Sequence, residues 1–239
     1  MFTKSAAFYD AIYAARGKDY AAEAAWLRGA YRNVAAQSSR LLDVACGTGR
    51  HLSQLRNEFA VEGLDAEPAM IAIARERLPD VPLHVARMQE FAVEGRFAIV
   101  QCLFSSISYV ADESELFATI ARFANVVESG GLLVVEPWFS PGAWFSPGEW
   151  DQRRLDAVFV DQPDLKIARL GRAERYGTTS VLRYEYLVAE PSGISGFSES
   201  HALQLFTDAQ YRAAFERAGL TVRNERSDLF TRGLYVGEK

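Results

Sequence analysis

The run Leu41-Leu42-Asp43-Val44-Ala45-Cys46-Gly47-Thr48-Gly49 constrains the fold more than any other stretch of the chain. It reads as a buried strand that breaks into a tight glycine turn, with a helix from about Arg50. Glycines at such a turn let backbone N–H groups and a helix N-terminus approach a ligand closely, because no Cβ stands in the way. Two phosphate-binding versions of this unit are disfavoured. A G-x-G-x-x-G fingerprint needs glycine at position 52, where Leu52 stands, and a P-loop needs Lys-Ser/Thr after the last glycine, where Arg50-His51 follow. Asp43, ahead of the turn, repels phosphate and suits a ligand carrying an ammonium or another positive charge.

With Asp43, Ala45, Gly47 and Gly49 together, the run resembles the first motif of class I S-adenosylmethionine-dependent methyltransferases. That resemblance implies a doubly wound α/β fold, Rossmann-like, with a mostly parallel seven-stranded sheet. The rest of the chain agrees with it. Strand patterns at Arg40–Ala45, Ala60–Asp65, Leu83–Ala86, Ala98–Phe104 and Gly131–Glu136 alternate with helical ones at Arg50–Glu58, Glu67–Leu78 and Asp112–Glu128. Such alternation predicts a parallel sheet covered by helices on both faces, with ligands outside the carboxyl ends of the strands. Two N-terminal helices are expected, one ending at Gly17 and one from Asp19 to about Asn33.

The pattern changes after Pro137. Residues 138–150 form an aromatic, turn-rich segment carrying Trp-Phe-Ser-Pro-Gly twice. Alternating stretches at Ala157–Asp161, Leu165–Ala173 and Thr178–Ala189 follow and read as a small antiparallel sheet. The expected division is therefore a core of residues 1–137 and 201–239, with an inserted antiparallel β lid at 138–200. The core is expected to resume with a strand at His201–Phe206, then a helix from Asp208 to Ala218 and strands at Leu220–Arg226 and Gly233–Val236.

Composition narrows the partners. A chain of 239 residues with 49% hydrophobic and 24% charged residues can bury a full core. Its net charge of -5 gives no general attraction to nucleic acid or to an anionic membrane. No apolar run is long enough to span a bilayer and no signal pattern opens the chain, so a cytoplasmic protein is expected. Cys46 and Cys102 lack metal-ligand spacing and read as packed or turn-lining residues; no metal is expected.

Within the methyltransferase resemblance, Asp65 at the end of the second strand accepts from the ribose hydroxyls of the adenosyl group, or else caps the helix at Glu67. Met70 flanks the adenine or fills the core. Met88 and Gln89 stand where the superfamily holds adenine, although Arg87 replaces the usual Asp. Ala45 and Leu103 complete the expected cofactor residues. Tyr109, after the fourth strand, positions an acceptor nucleophile or packs against the insertion. Glu136 and Trp138, after the fifth, suit a substrate ammonium or hydroxyl and a hydrophobic wall. His201 is a candidate proton acceptor through water or else a hydrogen-bonded core or interface group, whereas His51 and His84 read as packing residues. Arg232 pairs with a substrate phosphate or is a solvated turn residue.

A narrower resemblance runs nearly the whole length. The Gly17-Lys18-Asp19-Tyr20-Ala21-Ala22-Glu23-Ala24 and Glu136-Pro137-Trp138 runs are its most specific carriers, with Tyr9-Asp10, Tyr13, Arg77-Leu78-Pro79-Asp80, Phe104-Ser105-Ser106, Phe197-Ser198, His201 and Arg232-Gly233-Leu234. These resemble the N-methyltransferases that dimethylate dTDP-linked amino sugars in deoxysugar biosynthesis. The resemblance implies S-adenosylmethionine as methyl donor, a nucleotide-sugar acceptor and a homodimer. It places Tyr13 against the methionine part of the donor and the transferring methyl, Tyr109 near the acceptor amine and Arg232 toward the nucleotide phosphates. Phe139 stands where that family has a second tryptophan. Two other readings remain at this point: methylation of another small amine or hydroxyl, and a non-catalytic cofactor-binding subunit.

Overall fold

The computed structural model describes residues 2–35, 39–143 and 155–239. It divides into two compact units: the described residues of Tyr20–Trp138 with Phe206–Lys239, and those of Met1–Asp19 with Phe139–Leu205. Positions 144–150 of the expected turn-rich segment lie outside the described residues.

The larger unit is a seven-stranded sheet. Strands β1 (Arg40–Val44), β2 (Ala60–Asp65), β3 (Leu83–Val85), β4 (Phe97–Cys102) and β5 (Val127–Val135) are parallel, and β10 (Thr221–Glu225) and β11 (Leu234–Glu238) close one edge in antiparallel fashion. The order is β10-β11-β5-β4-β1-β2-β3. The direction of winding reverses between β1 and β4, so their carboxyl ends flank the crevice where such folds bind ligands.

Burial on both faces explains the nearly continuous apolar strands. On β1, Leu42 and Val44 pack with Ile120 and Phe123 of helix α5 (Glu113–Val126) and Phe215 of α6 (Asp208–Arg217). Leu41 faces the other way, toward Leu27 and Tyr31 of α2 (Tyr20–Ala35), Leu52 and Leu55 of α3 (Arg50–Leu55) and Ile71 of α4 (Pro68–Arg77). Local signals fix the helix starts. Pro68 opens α4 behind a Glu67 cap, Asp112 accepts from the Glu115 amide at 2.9 Å before α5, and Thr207 with Gln210 forms a capping box on α6.

The smaller unit is a four-stranded antiparallel sheet in the order β6-β7-β8-β9 (Leu155–Gln162, Leu165–Tyr176, Thr179–Glu190 and Gly193–Gln204). Its alternation is clean on β8, where Leu182, Tyr184, Tyr186 and Val188 are buried while Arg183, Glu185 and Leu187 are exposed. Two features differ from the sequence expectation. The stretch containing His201 is not a resumed core strand: β9 begins at Gly193 and pairs along β8, with His201 opposite Leu182. The glycine and serine content of Gly193–Ser200 hides this strand, because ladder pairing rather than side-chain propensity holds it. Helix α1 (Tyr9–Ala15) belongs with this sheet and contacts β6, whereas the sequence had grouped it with the parallel core.

Candidate active site

The turn after β1 gives its two glycines different tasks. Both lie at positive φ, +56° for Gly47 and +73° for Gly49. A Cβ added to Gly47 would meet nothing within 4 Å, whereas one on Gly49 would lie 3.0 Å from Leu78 Cδ1 and 3.3 Å from Ala74 Cβ. Gly49 thus permits close packing on α4, and Gly47 leaves open space at the carboxyl end of the sheet. Ala45 also takes a left-handed conformation, at φ 60°.

Asp65 ties this turn to β2. Its Oδ2 accepts from the Gly47 amide and its Oδ1 from the Glu67 amide, both at 2.9 Å. Burial raises its pKa, and these two amides act against that shift. The cap of α4 is Glu67 itself, which accepts from Ala69 N, so Asp65 is a brace between strand ends and not the helix cap.

Asp43 is 2% exposed and its Oδ2 has no hydrogen-bond partner. Burial pushes its pKa up to about 6, opposed by the charge of His51 and by the Gln101 amide side chain on the neighbouring strand, and helped by Asp65. A buried carboxylate with an unused acceptor, on the strand that leads into an open glycine turn, fits a ligand with a compact positive group. Met70 and Leu103 are buried and Met88 is half-buried, and Leu103 and Met88 pack with the apolar core of the sheet. His51, expected only to pack, does more. Its Nε2 lies 2.7 Å from Glu23 Oε2, and both side chains are buried. Glu23 sits inside the Gly17–Ala24 run, so its motif was visible but its partner was not.

The carboxyl ends of β4 and β5 bring Glu136, Trp138 and Arg232 together. Glu136 is 3% exposed; its Oε2 accepts from Phe104 N at 2.7 Å and its Oε1 pairs with Arg232 Nη2. Arg232 Nε donates to Pro137 O at 3.2 Å, and its guanidinium lies 5.4 Å from the Trp138 ring centre. Arg232 is therefore not a solvated turn residue. Phe104 and Ser105 both take positive φ, and Ser105 Oγ donates to Pro137 O at 2.7 Å. Half-buried Tyr109 ends the short 3-10 turn Ser106–Tyr109 that follows.

Tyr13 and His201 belong to the other unit. The Phe2 ring lies 6.3 Å from Tyr13 and 4.2 Å from His201, and Tyr184 lies 5.7 Å from His201. His201 is 1% exposed, and burial, aided by nearby positive charge including Arg169, lowers its pKa to about 3. It stays neutral at physiological pH and is a weak base there. Arg169 of β7, which no sequence signal marked, lies buried among these rings.

Comparison with known proteins shows the family and the fold. A methyltransferase domain family matches residues 41–131. The dTDP-3-amino-3,4,6-trideoxy-alpha-D-glucopyranose N,N-dimethyltransferase of Streptomyces venezuelae is 40% identical over 96% of this chain and 95% of its own. The dTDP-4-amino-2,3,4,6-tetradeoxy-D-glucose N,N-dimethyltransferase of Saccharopolyspora spinosa is 37% identical over 96% and 90%. A solved amino pentose methyltransferase of Micromonospora echinaspora, with S-adenosylmethionine bound, superposes with a TM-score of 0.85 at 35% identity, covering 96% of this chain and 95% of that one.

Proposed function

We propose that this chain, which belongs to the family of dTDP-amino-sugar N,N-dimethyltransferases, methylates the amino group of a nucleotide-linked amino sugar. S-adenosylmethionine supplies an electrophilic methyl on a sulfonium, which in-line attack by a neutral amine converts to a thioether. The observation that carries the reading is the end of β1, where Asp43 has a buried, unpartnered oxygen and the turn that follows leaves open space at Gly47.

From there the roles follow by chemistry. Asp43 suits the ammonium of the donor's methionine part. Asp65, held by two backbone amides, keeps acceptor capacity for ribose hydroxyls. Ala45, Gly47 and Gly49 shape the turn, and Met70, Met88 and Leu103 flank the adenosyl group. Tyr13 lies against the transferring methyl, and Tyr13 with Tyr109 positions the neutral amine. Trp138 and Arg232 receive the nucleotide end of the acceptor, with Glu136 orienting Arg232.

Alignment alone can lower such a barrier by roughly 7–11 kcal/mol. An amine that arrives neutral needs no strong base, which accords with the weak basicity of His201; it would pass a proton only through water. Each transfer leaves an ammonium that gives up one proton to water, so two rounds give the dimethylamine.

A homodimer is part of this proposal. Its support is the outer face of the antiparallel sheet, where Phe159, Leu170 and Leu187 are more than half exposed across adjacent strands. Among the described residues no helix is long and apolar enough to cross a membrane, and the cytoplasm is the compartment proposed.

The test is thermal stabilisation by S-adenosylhomocysteine followed by dTDP. We expect each to raise the melting temperature and the two to add. Stabilisation by S-adenosylhomocysteine without any effect of dTDP would move the acceptor to another small amine or hydroxyl.

A further inference from the structure

Arg169 is a charge that neither packing nor the proposed roles above account for. It lies on the inner face of β7 and is 1% exposed. Its Nη2 reaches Asp156 Oδ2 only at 3.4 Å, and its Nε and Nη1 have no hydrogen-bond partner. Burying a guanidinium with so few partners is unfavourable, and a methionine would fill the volume without that penalty.

What the guanidinium has instead is aromatic company. Its centre lies 4.5 Å from the Tyr184 ring centroid and 5.7 Å from that of Tyr13, both within cation–π range. Asp156 is also shared, because the same Oδ2 accepts from Arg16 Nη1. Arg16 caps the C-terminus of α1, the helix that carries Tyr13. Tyr13 and Arg16 stand one turn apart. Helix α1 is therefore held at two points, a ring and a cap, by Arg169 of β7 and Asp156 of β6. Tyr9 and Phe2 pack against the same Tyr13 ring, at 4.5 and 6.3 Å between ring centres.

We propose that Arg169 is a positioning residue for methyl transfer. Lying over the rings of Tyr13 and Tyr184, and joined with Arg16 on Asp156, it fixes where α1 presents the Tyr13 hydroxyl. This rests on the reading that Tyr13 lies against the transferring methyl. A planar guanidinium is required, because an ammonium cannot cover two rings and reach a carboxylate at once.

The experiment compares the full chain with R169M, Y13F, the double variant and R169K. Each is assayed for kcat and KM with a dTDP-amino sugar, for S-adenosylhomocysteine affinity and for melting. R169M is expected to lower kcat by up to roughly 10²-fold, the scale of a small misplacement at a reacting centre. Its cofactor-product affinity stays within about twofold of the parent, and R169K recovers only part of the loss. In the Y13F background, R169M then changes kcat by less than about twofold, since the hydroxyl it places is already gone. A parental kcat in R169M overturns the proposal, and so does an equal loss in both backgrounds. Y13F with parental kcat and parental affinity overturns instead the reading of Tyr13. If R169M does not fold, D156N and R169K carry the same comparison.

Discussion

The two units of the chain differ in how far the backbone holds their polar side chains. In the parallel unit, backbone groups take a part: Asp65 is fixed by the amides of Gly47 and Glu67, and Glu136 by the amide of Phe104 together with the Arg232 guanidinium. In the antiparallel unit, rings and side-chain charges do it: His201 lies against Phe2 and Tyr184, and Arg169 against Tyr13 and Tyr184. A backbone-held group keeps its place when neighbouring side chains change, provided the turn keeps its conformation. A ring-held group depends on every neighbour, so single substitutions there spread further.

Asp65→Ala tests the first half most severely. It removes a charged acceptor from two part-buried amides, a loss of up to about 1.5–3 kcal/mol each. We expect S-adenosylhomocysteine affinity, measured by calorimetry, to fall by at least roughly 10²-fold. Affinity within a few-fold of the parent would show that the brace is not part of the donor site.

The next largest effect is expected at Arg232→Met. It leaves Glu136 buried without its cation, which costs up to about 3 kcal/mol of folding stability. Adding Glu136→Gln should return much of the urea midpoint, because the buried charge is then gone. The acceptor KM should stay raised in both variants, while cofactor-product affinity should not change. A double variant with the acceptor KM of the parent would remove Arg232 from the nucleotide site.

The smallest effects separate the units by pH. Asp43 has a folded pKa of about 6, above its unfolded value, so the folded state binds the extra proton. Its contribution to stability is present below the unfolded value and is lost as pH rises from about 4 to about 6. His201 is depressed to about 3 from 6.5, so the unfolded state binds the extra proton, and stability is lost as pH falls below 6.5. Each contributes a slope of up to about 1.4 kcal/mol per pH unit, with opposite signs. Relative to the parent, His201→Asn should therefore flatten the acid loss between pH 6.5 and 4.5, and Asp43→Asn should steepen it. Urea midpoints measured across that range decide it; equal slopes in all three proteins would refute both assignments.

The same contrast governs what the sequence discloses. Gly47, Gly49 and Asp65 stand at spacings set by a strand, a turn and a helix, so this local unit was legible in the sequence. The separate tasks of the glycines were not, because Leu78 and Ala74 come from another helix. The antiparallel sheet was legible in β6 to β8 through alternation, but β9 was not, since Gly193–Ser200 carries little apolar pattern. The Glu23–His51 pair and the placement of Arg169 depend on contacts between segments far apart in sequence. No local period encodes such contacts.

The left-handed residues at Phe104 and Ser105 carry a consequence for turnover. Non-glycine residues hold that conformation at about 1–3 kcal/mol each, and only where the surroundings over-determine it. Here the surroundings are the Glu136 carboxylate and the Pro137 carbonyl. The strain is met once, during folding, and the corner is already set before an acceptor arrives. In the proposed site, a sugar nucleotide docking there would have little loop ordering to offset from its own binding energy.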